Sequence, residues 1–563
     1  MRKILMTLTA VLCCAMTMAV LTACTSDNDD NPAGGGMVGK WCGNVSGKTY
    51  AKWNYGETWQ VTELKADGTG TTDTYYTNKD KPIAREHRDF TYAAAEAAVL
   101  TEGLQKADAT MAAKFDKWSQ TEDLIPVPQP SKFTMFVYGN AGGTMDTAIE
   151  KGFWEQAKSF LTDHDNVRVV CFYKYGKDDV DEQGNHSFTG KYANPGDIVW
   201  FELTSETDLD KIKDEGFQAM GFGDQAIALK LCNPDALKMF IEFSSLVCPA
   251  REYVLGIWGH GSGFKATEDV PGKYEMLSSS TRGVMGDEWN GEWMDMYEMR
   301  DAIKASGIDR LNTLFFHNCM MGNLETQTTI RDCADYICCS AHVLRSDGEV
   351  MAEFVRGLVD KGNAVDAVAQ MFERNTPLWQ DSYKDGTVVN GDYKMYRTDR
   401  FDGILDAAKH LADRLIALYP TQKEAIDRAT SKVYRFDPIQ YEHFYPFFDI
   451  ADYAHLLAQE TGDAEMKTIA VEMDNAFKEA IIHYRDVSWS KEHLDHYTMS
   501  VCLLHQLYYT YDYKPANPSY LCNYDEGYEQ CDFHKYTGWG NWLRMNEQSL
   551  GHNPQSGGGG VLE

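Results

Sequence analysis

The sequence is poor in positive charge and lacks several short motifs that mark metal or serine chemistry. It contains 53 Lys and Arg against 84 Asp and Glu, a net charge of -31. This argues against nucleic-acid binding, because phosphate contacts need clustered cations. Neither C-x-x-C nor H-E-x-x-H occurs, which argues against a structural metal ion. Without G-x-S-x-G, a serine esterase would lack its nucleophile.

The composition is that of a globular protein of several domains. A length of 563 residues allows about two to four domains. With 43% hydrophobic and 24% charged residues, wholesale disorder is excluded. Three of the 14 cysteines lie in the first 24 residues. The remaining number is odd, so at least one thiol stays free unless pairing is intermolecular.

The first 24 residues have the pattern of a targeting signal. A basic "MRK" precedes the apolar "ILMTLTAVLCCAMTMAV", and "LTAC" ends the segment. "LTAC" resembles the lipobox of bacterial lipoproteins, which implies that Cys24 becomes the lipidated N-terminus; an ordinary secretory signal cleaved nearby is the alternative. Residues 25–36 are acidic and Gly-rich, which predicts a flexible tether. We expect an exported protein of a Gram-negative cell envelope, held by its lipid in the outer membrane or at the cell surface.

Residues 37–128 are predicted to form a small β-rich module. "TWQVTEL", the turn "ADGTG" and "TTDTYY" have the alternation of a β-hairpin. The opening of this segment resembles a lipocalin-like domain, and the Ala-rich residues 91–118 are predicted to be helical. The proline-rich "LIPVPQPSK" at 124–132 indicates a domain boundary.

Residues 129–400 alternate apolar runs with helical patterns, which predicts an α/β domain. Such near-continuous apolar strands are typical of a mostly parallel sheet that helices cover on both faces. Asn233 and Pro234 have the pattern of an N-cap and first residue of one of these helices. From residue 401 the pattern is helical, and the Gly-rich tail is expected to be disordered. The five apolar runs lie at 133–140, 167–175, 253–260, 311–319 and 336–343.

Two of these predicted strands end on reactive residues. "YVLGIWGH" ends at His260 and "LNTLFFHNC" ends at Cys319. Ligands bind at the carboxyl ends of parallel strands, where a thiolate and an imidazole can perform acyl transfer. Gly261 would let a backbone N–H approach a substrate as part of an oxyanion hole. A structural histidine and a core cysteine explain the same residues equally well.

These blocks resemble the clostripain family of cysteine peptidases, within the group of caspases, legumains, gingipains and separase. "EYVLGIWGHGSGF" is followed by "HNCMMGNLET", and the resemblance covers roughly residues 131–545. It implies a caspase-like α/β/α sandwich, with the β-rich module before it and the helical region completing the peptidase. It also implies Cys319 as nucleophile, His260 as general acid, Gly261 as oxyanion donor, and cleavage of proteins or peptides after Arg or Lys.

The residues expected to bind substrate depart from the family pattern. The family usually has an Asp two residues before the nucleophile, where this chain has His317. An imidazole offers no attraction to a basic side chain, so Asp347 is a candidate replacement; a simple turn residue is the equal alternative. Asn318 and Ser340 complete the expected substrate-binding set.

Relatives are often self-cleaved between the His and the Cys, which makes Lys265, Lys273 and Arg282 candidate sites. Some relatives depend on calcium, but no calcium loop is recognisable here, and no cofactor is expected. A catalytically inactive caspase-like lipoprotein that binds peptides or a partner is the alternative function. An amidase or acyltransferase using the same two residues is a third.

Overall fold

The chain divides into two compact units, with the boundary between Pro126 and Val127. They are called the N-terminal and C-terminal units below. The predicted signal segment, tether and tail lie outside the described residues. The computed structural model describes residues 37–45, 57–78, 81–121, 125–126, 130–140, 145–161, 166–180, 183–213, 230–261, 263, 284–287, 292–342, 344, 349–384, 391–434, 436, 447–487, 498–503, 528 and 531–549.

The N-terminal unit contains a six-stranded sheet in the order β5-β1-β2-β3-β4-β6. Its elements are β1 (Gly39–Asn44), β2 (Glu57–Leu64), β3 (Thr69–Asn78), β4 (Lys81–Thr91), α1 (Ala97–Leu100), β5 (Gln105–Lys106), α2 (Ala109–Ser119) and β6 (Ile125–Pro126). The predicted hairpin is confirmed: β2 and β3 pair antiparallel, and Gly68 supplies the positive φ of the turn. The resemblance to a lipocalin-like domain stays a prediction. The described strands form an open sheet, whereas a lipocalin is a closed barrel.

The C-terminal unit is built on an eight-stranded sheet, in the order β17-β15-β14-β13-β10-β7-β8-β9. Its strands are β7 (Ser131–Asn140), β8 (Val167–Lys174), β9 (Ile198–Leu203), β10 (Ala250–Trp258), β13 (Leu311–His317), β14 (Ala334–Cys339), β15 (Gly391–Arg397) and β17 (Ile481–Val487). The five strands from β14 to β8 are mutually parallel, and the outer three pair antiparallel. The predicted mostly parallel sheet is therefore confirmed.

Helices cover both faces of this sheet, as the α/β/α prediction requires. On one face, Phe240 packs against the rings of Phe136 and Phe172. Side chains on the other face pack in one hydrophobic cluster that includes the helical residues Phe354 and Met371. The helices are α3 (Met145–Thr147), α4 (Glu155–Lys158), α5 (Pro234–Val247), α6 (Met296–Ala305), α7 (Leu324–Ile330), α8 (Glu349–Lys361), α9 (Ala364–Lys384), α10 (Phe401–Lys432), α11 (Ile450–Thr461), α12 (Ala464–Ala480), α13 (Asp532–Thr537) and α14 (Trp539–Ser549); a π-helical segment, Ala148–Trp154, joins α3 to α4.

The C-terminal helical region also adds a strand to the main sheet. β17 directly follows α12 and pairs with β15 at the sheet edge. Two small antiparallel pairs complete the unit: β11 (Met285–Asp287) with β12 (Glu292–Met294), and β16 (Phe447–Asp449) with β18 (Ser500–Cys502). Across the part of the chain that is described, no helix has the length and apolarity needed to cross a membrane.

The predicted N-cap of α5 is confirmed and gives a first test. The Asn233 side chain accepts a hydrogen bond from the backbone N–H of Asp235, 2.9 Å away. We expect Asn233→Ala to lower the free energy of unfolding by about 1 kcal/mol, because a helical N–H loses its acceptor. Urea denaturation followed by fluorescence measures this. Asn233→Ser keeps a capping oxygen and should stay close to wild type; equal stability of all three proteins would contradict the cap.

Candidate active site

His260 and Cys319 follow two neighbouring parallel strands at equivalent positions. In the β10–β13 pair, Trp258 lies opposite His317. His260 and Cys319 each come two residues after this last pair, so both turns leave the sheet at the same edge. The register of two buried strands thus delivers the two reactive residues to one place.

The two turns touch through Gly261. A Cβ atom at Gly261 would lie 2.6 Å from the carbonyl oxygen of Cys319 and 2.8 Å from Cβ of Asn318, so glycine is required for this approach. The Asn318 side chain also donates a hydrogen bond to the His260 carbonyl oxygen, at 3.3 Å. Residues 260–261 and 318–319 therefore pack directly against each other at the carboxyl ends of the two strands.

The Cys319 thiol is half-buried and contacts the backbone of Leu344. The Leu344 N–H donates to Sγ over 3.3 Å. Burial raises the pKa of the Cys319 thiol above its ordinary value, and the Leu344 N–H opposes that rise. The helix that follows Cys319, α7, begins only at Leu324, and the Asn323 side chain caps it. A backbone amide, rather than a helix N-terminus, thus donates to the sulfur among the described residues.

The turn that carries the thiol has a strained backbone, and a neighbouring turn holds it through hydrogen bonds. We call residues 318–322 the Cys319 turn and residues 340–342 the Ser340 turn. Met320 has φ 60°, which costs a non-glycine residue about 1–3 kcal/mol and persists only where the surrounding structure holds it. Its N–H donates to His342 O (2.9 Å), and the Gly322 N–H donates to Ser340 O (2.6 Å). The Ser340 turn therefore stabilises the backbone on both sides of Met320.

The side chains expected to bind substrate have structural contacts. His317 is 3% exposed; its ring stacks on Trp258, and its Nδ1 lies 2.6 Å from the Tyr393 hydroxyl. Ser340 is fully buried. Their contact with a substrate stays a prediction, as do the roles of His260, Gly261 and Cys319. The remaining candidates, Cys24, Lys265, Lys273, Arg282 and Asp347, lie outside the described residues.

An ion pair beneath the Ser340 turn was not predicted. Asp392 and Lys394 are buried in β15, and the Lys394 ammonium donates to Asp392. Although burial raises the pKa of Asp392, the charge of Lys394 and further donors lower it overall. The sequence feature that could have indicated this pair is the alternation in "GDYKMYR". Residues two apart in a strand lie on the same face, so the two opposite charges face the same way.

Glu325 is a second buried carboxyl close to the Cys319 turn. Its Oε1 accepts from the Cys502 backbone N–H (2.9 Å) and the Tyr528 hydroxyl (2.8 Å). Oε2 has no hydrogen-bond partner among the described residues. Burial raises the pKa of Glu325 to about 7, against the lowering effect of the two donors. Within the same described ranges, no group of three or more His, Cys, Asp or Glu could hold a metal ion.

The raised pKa of Cys319 predicts a thiol that is protonated at neutral pH in the free protein. An ordinary cysteine with a pKa of about 8.5 is only about 3% thiolate at pH 7, and burial lowers this fraction further at Cys319. The rate of alkylation by iodoacetamide, measured at Cys319 by mass spectrometry, should therefore keep rising as the pH is raised from 7 to 9. Cys319→Ala is the control for labelling elsewhere. A rate that is already constant above pH 7 would contradict the prediction.

The raised pKa of Glu325 predicts that the folded state weakens as the pH rises. Between its usual pKa and about 7, folded Glu325 keeps a proton that unfolded Glu325 has lost. The free energy of unfolding should therefore fall over this interval, by up to about 3 kcal/mol. Glu325→Gln cannot ionise, so its stability relative to wild type should grow from pH 4 to pH 8 in denaturant titrations. A difference that is constant with pH would refute this.

Comparisons with known proteins address the family to which the chain belongs. The sequence model of the clostripain family matches residues 160–545. A secreted C11 cysteine protease from Bacteroides thetaiotaomicron, solved with an irreversible peptide inhibitor, is 13% identical over 73% of this chain and 99% of its own, with a TM-score of 0.47. An inactive zymogen C11 protease from Parabacteroides distasonis has the same identity and coverage and a TM-score of 0.45. No curated protein is significantly similar in sequence. Because the family model matches more than half of the chain, this protein belongs to the clostripain family of cysteine peptidases.

Proposed function

We propose that this peptidase is an endopeptidase whose nucleophile is Cys319 and whose general acid is His260. The thiol loses its proton to the imidazole as Sγ attacks the carbonyl carbon of the scissile bond. The C–N bond then breaks, and His260 returns the proton to the leaving amine. Water next attacks the thioester, the C–S bond breaks, and the free thiol is restored.

The observation that carries this proposal is the contact between the His260 and Cys319 turns. Gly261 lies against the carbonyl oxygen of Cys319, so the histidine and the cysteine are presented on adjoining backbone at one sheet edge. The N–H groups of Gly261 and Cys319 then become the candidate oxyanion donors. Donors fixed in position before the reaction stabilise the developing charge without reorganisation.

Cleavage after Arg or Lys is the specificity that we propose for this site, with Asp347 as the acid that attracts the basic side chain. Asp392 is already paired with Lys394 and is not available for this role. The same specificity would allow self-cleavage at Lys265, Lys273 or Arg282. For the mature protein we propose export and attachment to the cell envelope through a lipid on Cys24.

Replacement of the two proposed catalytic residues tests the mechanism. Cys319→Ala and His260→Ala should each lower turnover of a peptide library, varied at the residue before the cleaved bond, by at least about a thousandfold. Cys232→Ala, which truncates another buried thiol, should leave turnover intact. N-terminal sequencing of fragments measures self-cleavage, and the fragments should be missing in Cys319→Ala.

Each other outcome has a definite meaning. Turnover that survives in Cys319→Ala would reject this nucleophile. No turnover by the wild type, together with peptide binding, would favour the inactive binding protein; the backbone contact of Leu344 with Sγ and the raised thiol pKa make that the second candidate. Cleavage after residues other than Arg or Lys would reject Asp347 as the specificity acid.

A further inference from the structure

Asp392 lies near the carboxyl ends of the parallel strands, where the His260 and Cys319 turns meet. Both oxygens of its carboxylate accept hydrogen bonds. One oxygen accepts from the Ser340 hydroxyl and from the His342 N–H. The other accepts from the Ala341 N–H and from the Lys394 ammonium. A carboxylate has about four acceptor positions, and all four are filled here. Three of the donors belong to the Ser340 turn, so one buried side chain organises that whole turn.

Backbone hydrogen bonds connect the Ser340 turn to the Cys319 turn. His342 O accepts from Met320 N–H, and Ser340 O accepts from Gly322 N–H. Gly322 also packs against the turn so closely that a Cβ there would lie 2.8 Å from the Ala341 nitrogen. Direct hydrogen bonds therefore connect Asp392 to the Ser340 turn, and further direct hydrogen bonds connect that turn to Met320, the positive-φ residue after Cys319.

Two other roles for Asp392 are inconsistent with its surroundings. It is fully buried, and Lys394 neutralises its charge, so a basic substrate side chain would have to displace an existing ion pair. Stability alone is a weak reason for a buried pair, because apolar replacements are often at least as stable. A positional role explains both the burial and the choice of donors.

From this geometry, and resting on the proposed function, we infer that Asp392 is a positioning residue for the nucleophile. Its carboxylate, held by Lys394, fixes the Ser340 turn, and that turn fixes the Cys319 turn. Ser340 takes part as a link in this chain, because its hydroxyl donates to Asp392. The inference distinguishes two roles for Ser340: a substrate contact affects KM, whereas a positioning link affects kcat.

A double-mutant cycle on Ser340 and Asp392 tests the inference. Asp392→Asn should lower kcat by about tenfold to a hundredfold, since small misplacements of a reacting group are costly. Ser340→Ala should lower it by about fivefold, the value of one hydrogen bond. The double variant should be no slower than Asp392→Asn within about twofold, because both changes break the same link. KM should stay within about twofold of wild type throughout.

The matched control is Glu202→Gln, which breaks another ion pair in the same sheet. Arg168 and Glu202 form a bidentate pair on β8 and β9, and Arg168 lies at the amino end of β8, away from the Cys319 turn. The control should lose stability, measured as the midpoint of thermal unfolding, but keep the wild-type kcat. Asp392→Asn leaves Lys394 unpaired and could fail to fold for that reason. In that case the kcat and thermal midpoint of Ser340→Ala are compared with those of Glu202→Gln instead.

Three results with the Asp392 and Ser340 variants would overturn the inference. They are an unchanged kcat in Asp392→Asn or Ser340→Ala, a raised KM with unchanged kcat, and additive effects in the double variant. An equal loss of kcat in Glu202→Gln would reduce the effect to general stability and would also reject it. These failures differ from failure of the proposed function, which would show as turnover that survives in Cys319→Ala.

Discussion

The parallel pairing of β10 with β13 is the constraint on which the rest of the C-terminal unit depends. Because Trp258 lies opposite His317, the residues two positions further on each strand leave the sheet together. A slip of one residue would reverse the faces of one strand and separate His260 from Cys319. The apolar side chains that fix the register therefore also set the geometry of the candidate site, although none of them is reactive.

Buried polar groups add a second level of order near the thiol. Asp392 gathers the Ser340 turn, and Glu325 ties α7 to the backbone of Cys502. Both carboxyls are buried at a cost in desolvation, yet their pKa values move in opposite directions. Asp392 has a cation beside it and stays ionised, whereas Glu325 has neutral donors and holds its proton to about pH 7. Charge pairing, more than burial, separates the two cases.

The five central strands were predicted from the sequence, whereas the two strands at one side of the sheet, β15 and β17, were not. The five parallel strands are apolar on both faces and give a signal that is hard to mistake. β15 and β17 are edge or near-edge strands that mix charged and apolar residues, so no apolar run reveals them. The His260 and Cys319 positions came from the ends of predicted strands and from the family resemblance. Asp392 and Leu344 escaped prediction because their contacts join segments far apart in the chain.

The position of β17 has a consequence for how the unit assembles. Among the described residues, helices α10 to α12 and strand β16 separate it from β15 along the chain, yet the two strands are hydrogen-bonded neighbours. Until residues 481–487 are in place, β15 presents a row of unpaired backbone groups, which is a template for adding strands from other molecules. Such long-range pairing is also slow to form. During synthesis the sheet therefore has an open flank that only the late, helical part of the chain can close.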